Sequence, residues 1–322
     1  MKQAQFEATY GPLWSEIDTL LAKRAEGREA LPEQYRRLCQ CLALAGQRGY
    51  SPQLVSYLHG LVARCHHALY GVAAERPTVL LQWLRADLPR RVRAEWKLLL
   101  LVLFCLLGPA IAIGALVWHD SHNAFMFASP DELTRMHQMY APSSMKTGRG
   151  GSEGDLQMFG HYIWNNVSIG FRTFASGIFG GVPALLSVLF NGMKMGVVAA
   201  WLSLDPATRS NFWSFVVTHS SFELTGLVLS GVAGVRLGMA LVKPGRLSRL
   251  SRRRALQEAS VQMYPVVAGA ALLTVLAAFF EAFWSASAFA PAVKYGVGAV
   301  CWALVFLFFG FAGREKGVHA TR

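Results

Sequence analysis

His219 and Glu223 stand four residues apart in an apolar segment, so on a helix they share one face and come within hydrogen-bonding reach. Glu281 closes an otherwise charge-free run and Arg236 lies inside another. Ionisable groups at membrane depth are costly, usually turn inward and pair with one another. Glu223, His219, Glu281 and Arg236 therefore suit one of two roles. Either they relay a proton or ion through a buried polar centre, or they form a fixed ion-pair network that holds helices in register. Asn165, Asn166, Arg172 and Asn191 extend the polar set. Asn165 and Arg172 are seven apart on one helical face, where they either line a cavity or bond between helices. No GxxxxGK[ST] loop, HExxH or GxSxG elbow is present, and no catalytic residue is assigned.

Three small-xxx-small repeats accompany these residues: Gly177 to Gly181, Gly192 to Gly196 and Gly234 to Gly238. Such spacing lets helix backbones approach closely, which suits packing within the chain or a homo-oligomer seam. A second chemistry-bearing cluster combines His119, His122, His137 and His161 with Met126, Met136, Met139, Met145 and Met158. Imidazole and thioether ligands suit Cu(I). The spacing is irregular, however, and Asp131–Tyr140 reads equally well as an amphipathic interfacial helix after Ser129-Pro130. No metal or cofactor is assigned from these residues.

The elements that must carry them follow from composition. The chain has 322 residues, 53% hydrophobic and only 16% charged, yet a net charge of +12. Soluble domains carry roughly 25% charge, so an apolar and basic chain points to a membrane. The composition excludes a disordered or collagenous protein, and five cysteines without CxxC pairing exclude a disulfide framework or zinc ribbon. Residues 1–97 read as a polar helical bundle, with helices from Phe6, after Pro32 and after Ser51-Pro52. It ends in an amphipathic stretch, Thr78 to Lys97, rich in Arg and Trp. The start of the chain has no apolar signal-peptide core.

Leu98–Trp118, Ala259–Phe280 and Tyr295–Gly313 are charge-free runs long enough to cross the hydrocarbon as helices. The block from about Tyr162 to Val242 reads as three more spans, broken near Gly180–Pro183 and Asp205-Pro206. The expectation is an all-α, polytopic fold of about six transmembrane helices over residues 98–313. It has an outer loop at 119–161 and a short tail at 314–322. Basic residues cluster before Leu98, from Lys243 to Arg254 and after Gly313, whereas 119–161 holds five acids against three basics. With six spans this places both termini in the cytoplasm. The Lys243–Arg254 cluster is expected to meet anionic lipid headgroups rather than nucleic acid.

Several stretches together resemble the stage II sporulation protein M family of integral membrane proteins. They are Asn165-Asn166-Val167-Ser168-Ile169-Gly170-Phe171-Arg172, Phe190-Asn191-Gly192, His219-Ser220-Ser221-Phe222-Glu223-Leu224 and Ala233-Gly234-Val235-Arg236-Leu237-Gly238, with Phe280-Glu281-Ala282-Phe283. Tyr35-Arg36-Arg37-Leu38 and Tyr57-Leu58 through Arg64 extend the likeness over most of the chain. The family's His-Gly-x-x-Glu pattern carries Ser220 at the Gly position here. The resemblance implies a multi-spanning bacterial inner-membrane protein without established catalytic chemistry. Its namesake works in a membrane complex with peptidoglycan-degrading proteins. A non-enzymatic scaffold with protein partners, linked to cell-envelope processes, is therefore the first expectation. A transporter or permease component built on the His/Glu/Arg centre is the second.

Overall fold

The computed structural model describes residues 1–22, 30–70, 82–144, 147–149, 154–244 and 251–314. Two compact units divide the chain, Met1–Val79 and Leu80–Arg322, and the described residues are helical with no strand.

The first unit is a bundle of α1 (Gln3–Ala22), α2 (Leu31–Gln47) and α3 (Pro52–Tyr70). Leu31, Gln34, Leu38, Cys41 and Ala45 are the buried residues of α2, and Leu54, Leu58, Leu61 and Cys65 those of α3. Both stripes repeat at three- and four-residue steps, the signature of one face of a helix. They close on Phe6, Trp14 and Ile17 of α1. Polar contacts pin the outside: Arg64 pairs with Asp18 at 2.5 Å, and Tyr57 donates to the same carboxylate at 3.0 Å.

The second unit begins with a π-helical turn, Trp83–Asp87, and α4 (Leu88–Ala94). Leu88 and Val92 pack among Leu229, Ala233, Met263 and Val266. The Arg-rich stretch before Leu98 thus belongs, from residue 80, with the membrane unit. Then come α5 (Trp96–His119), a 3-10 turn (Ser121–Met126) and α6 (Pro130–Tyr140). The polar helix α7 (Asp155–Ser176) leads into α8 (Val182–Leu204) and α9 (Pro206–Val242). Last are α10 (Arg252–Phe279), prolonged by a π-helical turn over Phe280–Ser285, and α11 (Pro291–Phe311).

Five of these helices, α5, α8, α9, α10 with its π turn, and α11, are long and apolar enough to cross a membrane. Those five and α7 are the six helices expected from the sequence, broken where expected. The sixth helix, α7, has 22 residues, about 33 Å at 1.5 Å per residue, but it is too polar to meet that standard. Its buried stripe is Met158, Tyr162, Asn166, Gly170 and Thr173, so it is the amphipathic wall of a polar interior. α9 is the centre of the unit, with 61% of its apolar window buried against 17% for α5 and 22% for α11. From Gly226 to Val235 every residue of α9 is buried, as expected of a helix surrounded by others.

The membrane helices run between two common ends. At one end Arg93 donates to the carbonyls of Phe309 and Ala312 at 2.7 Å each, and Arg90 to that of Gly313. These guanidinium groups satisfy carbonyls that the end of α11 leaves open. At the same end Arg236 of α9 meets Glu95, just before α5. The other end gathers α6, the α8–α9 turn at Asp205 and the π turn of α10. His137 of α6 lies 2.6 Å from Asp205. Ser129 caps α6 by accepting from Glu132 N at 3.2 Å. Leu133 then buries itself against Val117, Val197 and Ala200, so α6 sits on the bundle as a cap.

The glycine repeats are close approaches within the chain. A Cβ at Gly238 would lie 2.0 Å from the backbone N of Gly181, and one at Gly177 2.2 Å from the carbonyl O of Gly234. One at Gly192 would lie 2.1 Å from Leu106 O, and one at Gly196 2.3 Å from Ala110 O. The first pair clamps the α7–α8 turn onto α9, and the second presses α8 onto α5. Gly180 and Gly181 make that turn at φ of 83° and 84°, a left-handed conformation that glycine adopts without steric cost.

Candidate functional site: a His/Glu/Glu centre

Three of the sequence-selected residues meet. The ligand atoms of His219, Glu223 and Glu281 all lie within 4.8 Å of one another. His219 and Glu223 come from successive turns of α9, with Nε2 3.8 Å from Oε2. Glu281 is delivered by the π turn at the end of α10. Such turns widen a helix locally and are frequent at functional sites. His219 is 4% exposed, and Phe215 stacks edge-on against its ring at 5.3 Å.

His219 and Glu281 each have a partner that orients them. His219 Nδ1 lies 2.9 Å from Ser285 Oγ, one turn beyond Glu281. Asn166 Nδ2 of α7 donates to Glu281 Oε2 at 3.2 Å, and Asn165 Nδ2 donates to Asn166 Oδ1 at 3.0 Å. The two asparagines therefore run a polar chain from the surface of α7 to the carboxylate.

Beside the centre lies a cavity of about 390 Å³, bordered by His219, Ser220 and Glu223 of α9, Asn165 and Asn166 of α7, and Asn191 and Lys194 of α8. Glu132 and Met136 of the α6 cap complete its rim. Lys194 is held there by Glu132 at 3.0 Å. The volume is ample for several waters and the polar partners are present to hold them. Ser220, at the position where the family pattern has Gly, fits this wall and turns its hydroxyl onto Val217 O at 3.3 Å.

Two arginines expected in the centre are elsewhere. Arg236 Nε is 3.0 Å from Glu95 Oε1, at the opposite end of the bundle. It lies 13 residues beyond Glu223 along α9, about 20 Å on a helix. Arg172 is exposed on α7 and donates to its own helix at Ser168 O. Asn191 borders the cavity but spends its amide on Ser187 O at 2.8 Å. Among the described residues, no Lys or Arg pairs with Glu223 or Glu281.

The cations that do approach had not been singled out from the sequence. Lys294, 5% exposed, donates to the carbonyls of Ser285 and Ser287 at 2.7 Å each. Arg149, also buried, bonds Asp155 and the carbonyl of Ala282. Both groups satisfy the open end of the α10 π turn and so fix the segment carrying Glu281. A signal existed for Lys294, a lone charge in the first turn of an apolar helix. None existed for Arg149, which stands in a glycine-rich loop.

The outer His/Met residues are dispersed. His137 faces Asp205, His122 faces Asp120 at 3.1 Å, and His161 packs on Tyr162. Met145 lies outside the described residues, as do residues 245–250 of the basic Lys243–Arg254 cluster and residues 315–322 of the tail.

Residues 4–71 match a family model described as a domain of unknown function, DUF8413. An uncharacterized protein of Methanocaldococcus jannaschii is 27% identical over 79 residues, which is 24% of this chain and 44% of that protein. The chain thus spans less than half the length of that curated relative. No solved structure matches. Residues 99–286, from α5 to the end of the π turn and enclosing the whole His/Glu/Glu centre, match the model of stage II sporulation protein M, and the chain belongs to that family of integral membrane proteins.

Proposed function

We propose that the chain is a non-enzymatic component of a bacterial inner-membrane assembly linked to the cell envelope, recruiting protein partners through residues 1–79. The observation that carries this reading is the division into two units. The first has its own closed core, built from α1, α2 and α3 alone. Basic residues favour the cytoplasmic side. Arg85–Lys97, Lys243, Arg252–Arg254 and Arg314 belong to the end where α4 meets α11, whereas Asp120, Glu132 and Asp155 belong to the cap end. That arrangement supports placing the α4 end and the tail in the cytoplasm and the 120–155 segment outside. The basic cluster then meets anionic lipid headgroups.

Mild crosslinking in native membranes, with full-length chain and with a variant carrying Arg36→Glu and Arg37→Glu on the exposed face of α2, tests the reading. A partner recovered with the full-length chain and diminished several-fold in the variant is expected. Absence of a reproducible crosslinked partner would remove the reading's main support.

A second reading, a transporter or permease component, draws on the cavity beside His219 and Glu223. It requires that Glu223→Gln or Glu281→Gln abolish ion or proton flux in proteoliposomes while leaving the amount of folded protein unchanged. Loss of folded protein instead favours a purely register-fixing centre.

A further inference from the structure

We infer that His219, Glu223 and Glu281 form a binding site for a single divalent first-row transition cation, for which zinc(II) is the natural probe. The inference goes beyond the scaffold reading and stands whichever of the two functional readings holds.

The donor set is the first reason. One imidazole nitrogen and two carboxylates, with donor atoms within 4.8 Å of one another, need only small side-chain rotations to reach the roughly 2.0–2.2 Å distances of a zinc site. An imidazole among the ligands suits zinc, iron or nickel, whereas calcium and magnesium prefer all-oxygen shells of six or more ligands.

The second reason is orientation. A metal-bound histidine commonly uses one ring nitrogen for the ion and the other for a fixed hydrogen-bond partner. Ser285 Oγ stands 2.9 Å from Nδ1 of His219, while Nε2 faces Glu223. Asn166 likewise holds one oxygen of Glu281, Oε2. Supporting contacts of this kind thus reach two of the three donors, His219 from the π turn of α10 and Glu281 from α7.

Charge is the third reason. Two half-buried carboxylates facing each other in a membrane helix bundle are costly unless neutralised. The arginine that would have served, Arg236, is spent on Glu95. The nearby cations Arg149 and Lys294 are fixed on backbone carbonyls of the π turn, and Lys194 on Glu132. A bound dication supplies the missing positive charge at the point where the carboxylates converge. The adjoining cavity, with Ser220 and Asn191 on its walls, gives the ion a route in and room for a water as fourth ligand.

The test uses the full chain, purified in detergent with its affinity tag removed and stripped with a chelator. Titration with Zn²⁺ is expected to give one ion per chain, undisturbed by a hundredfold excess of Ca²⁺ or Mg²⁺. Co²⁺ in its place is expected to give visible d–d bands. His219→Ala and Glu281→Gln each weaken binding by more than tenfold. Ser285→Ala keeps all three donors and weakens it about tenfold, through loss of imidazole orientation. Should the two ligand variants fail to fold, Ser285→Ala and the wild-type Co²⁺ spectrum carry the test. Failure of the wild-type chain to bind Zn²⁺ stoichiometrically would overturn the inference. So would binding that survives Glu281→Gln and Ser285→Ala but is lost with His119→Ala and His122→Ala, because the ion would then sit in the outer segment.

Discussion

Asn166 donates to Glu281 across 3.2 Å, and this bond ties the polar helix α7 to the π turn that ends α10. α7 alone is too hydrophilic to be an ordinary lipid-exposed span, so its place in the bundle depends on such inward polar contacts. Interhelical hydrogen bonds in membrane proteins contribute roughly 0.6 kcal/mol on average and up to about 1.7 kcal/mol. A double-mutant cycle of Asn166→Ala and Glu281→Ala, read by thermal unfolding in detergent, should return a coupling of about 1 kcal/mol. A coupling indistinguishable from zero would mean that this bond does not hold α7, leaving contacts such as Thr173 Oγ1 to Ser187 Oγ at 2.6 Å to do so.

The glycine contacts predict a sharp contrast between positions. At Gly238 and Gly192 a methyl group would collide with backbone that neighbouring helices hold in place, the N of Gly181 and the O of Leu106. Gly238→Ala and Gly192→Ala should therefore destabilise the membrane unit by about 3 kcal/mol or more, beyond ordinary overpacking. At Gly296 and Gly310 of α11 nothing lies within 4 Å of an added Cβ. Alanine there should be neutral or stabilise by about 0.5–1 kcal/mol, since it restricts the unfolded chain. Yield and melting temperature of the four variants decide the matter. If Gly238→Ala instead dissociated an oligomer while the fold stayed intact, the glycine seam would lie between chains.

The cap helix α6 is fastened by a pH-sensitive contact outside the spans. Asp205 accepts from Ala207 N at 2.8 Å and from His137 at 2.6 Å. The Ala207 amide first, and then His137, hold the Asp205 carboxyl below its usual range. A carboxylate whose pKa falls on folding stabilises fully above its unfolded value, near 3.9, and loses that contribution as pH drops through the folded value. Amide exchange of Pro130–Tyr140, corrected for intrinsic rates, should thus accelerate as the solution is taken below about pH 4. Asp205→Asn should raise exchange at neutral pH and flatten the acid step. Identical profiles for the two proteins would sink the assignment.

Much of this architecture was legible because hydrophobic runs and helix breakers are local. Leu98–Trp118 carries no charge, and Gly180-Gly181 and Asp205-Pro206 interrupt the apolar block where the chain turns. The i, i+4 spacing of His219 and Glu223 likewise fixes their common face without tertiary information. What sequence spacing could not supply was which distant charge meets which. Arg236 and Glu223 share a helix, and proximity in sequence suggested a common centre. Their 13-residue separation instead sends them to opposite ends, and Glu95, 141 positions earlier in the chain, receives the arginine. α7 was harder for a different reason. Its polarity is explained by a cavity that exists only once α8, α9 and α6 have assembled around it.

The Arg236–Glu95 pair makes the final prediction. It joins the central helix to the start of α5, and Glu95 keeps only 17% of its side chain exposed. Removing Arg236 leaves a mostly buried carboxylate unpaired, whereas removing both charges leaves nothing to neutralise. Arg236→Met alone should therefore destabilise the membrane unit more than Arg236→Met combined with Glu95→Gln. The coupling should be on the order of 1 kcal/mol, the range found for residues in direct contact. The same cycle run between Arg236→Met and Glu223→Gln should show independent effects, since sites so far apart without shared partners add. Thermal melts in detergent distinguish these outcomes. Coupling of Arg236 to Glu223 rather than Glu95 would return the arginine to the polar centre and remove the charge deficit on which the metal site depends.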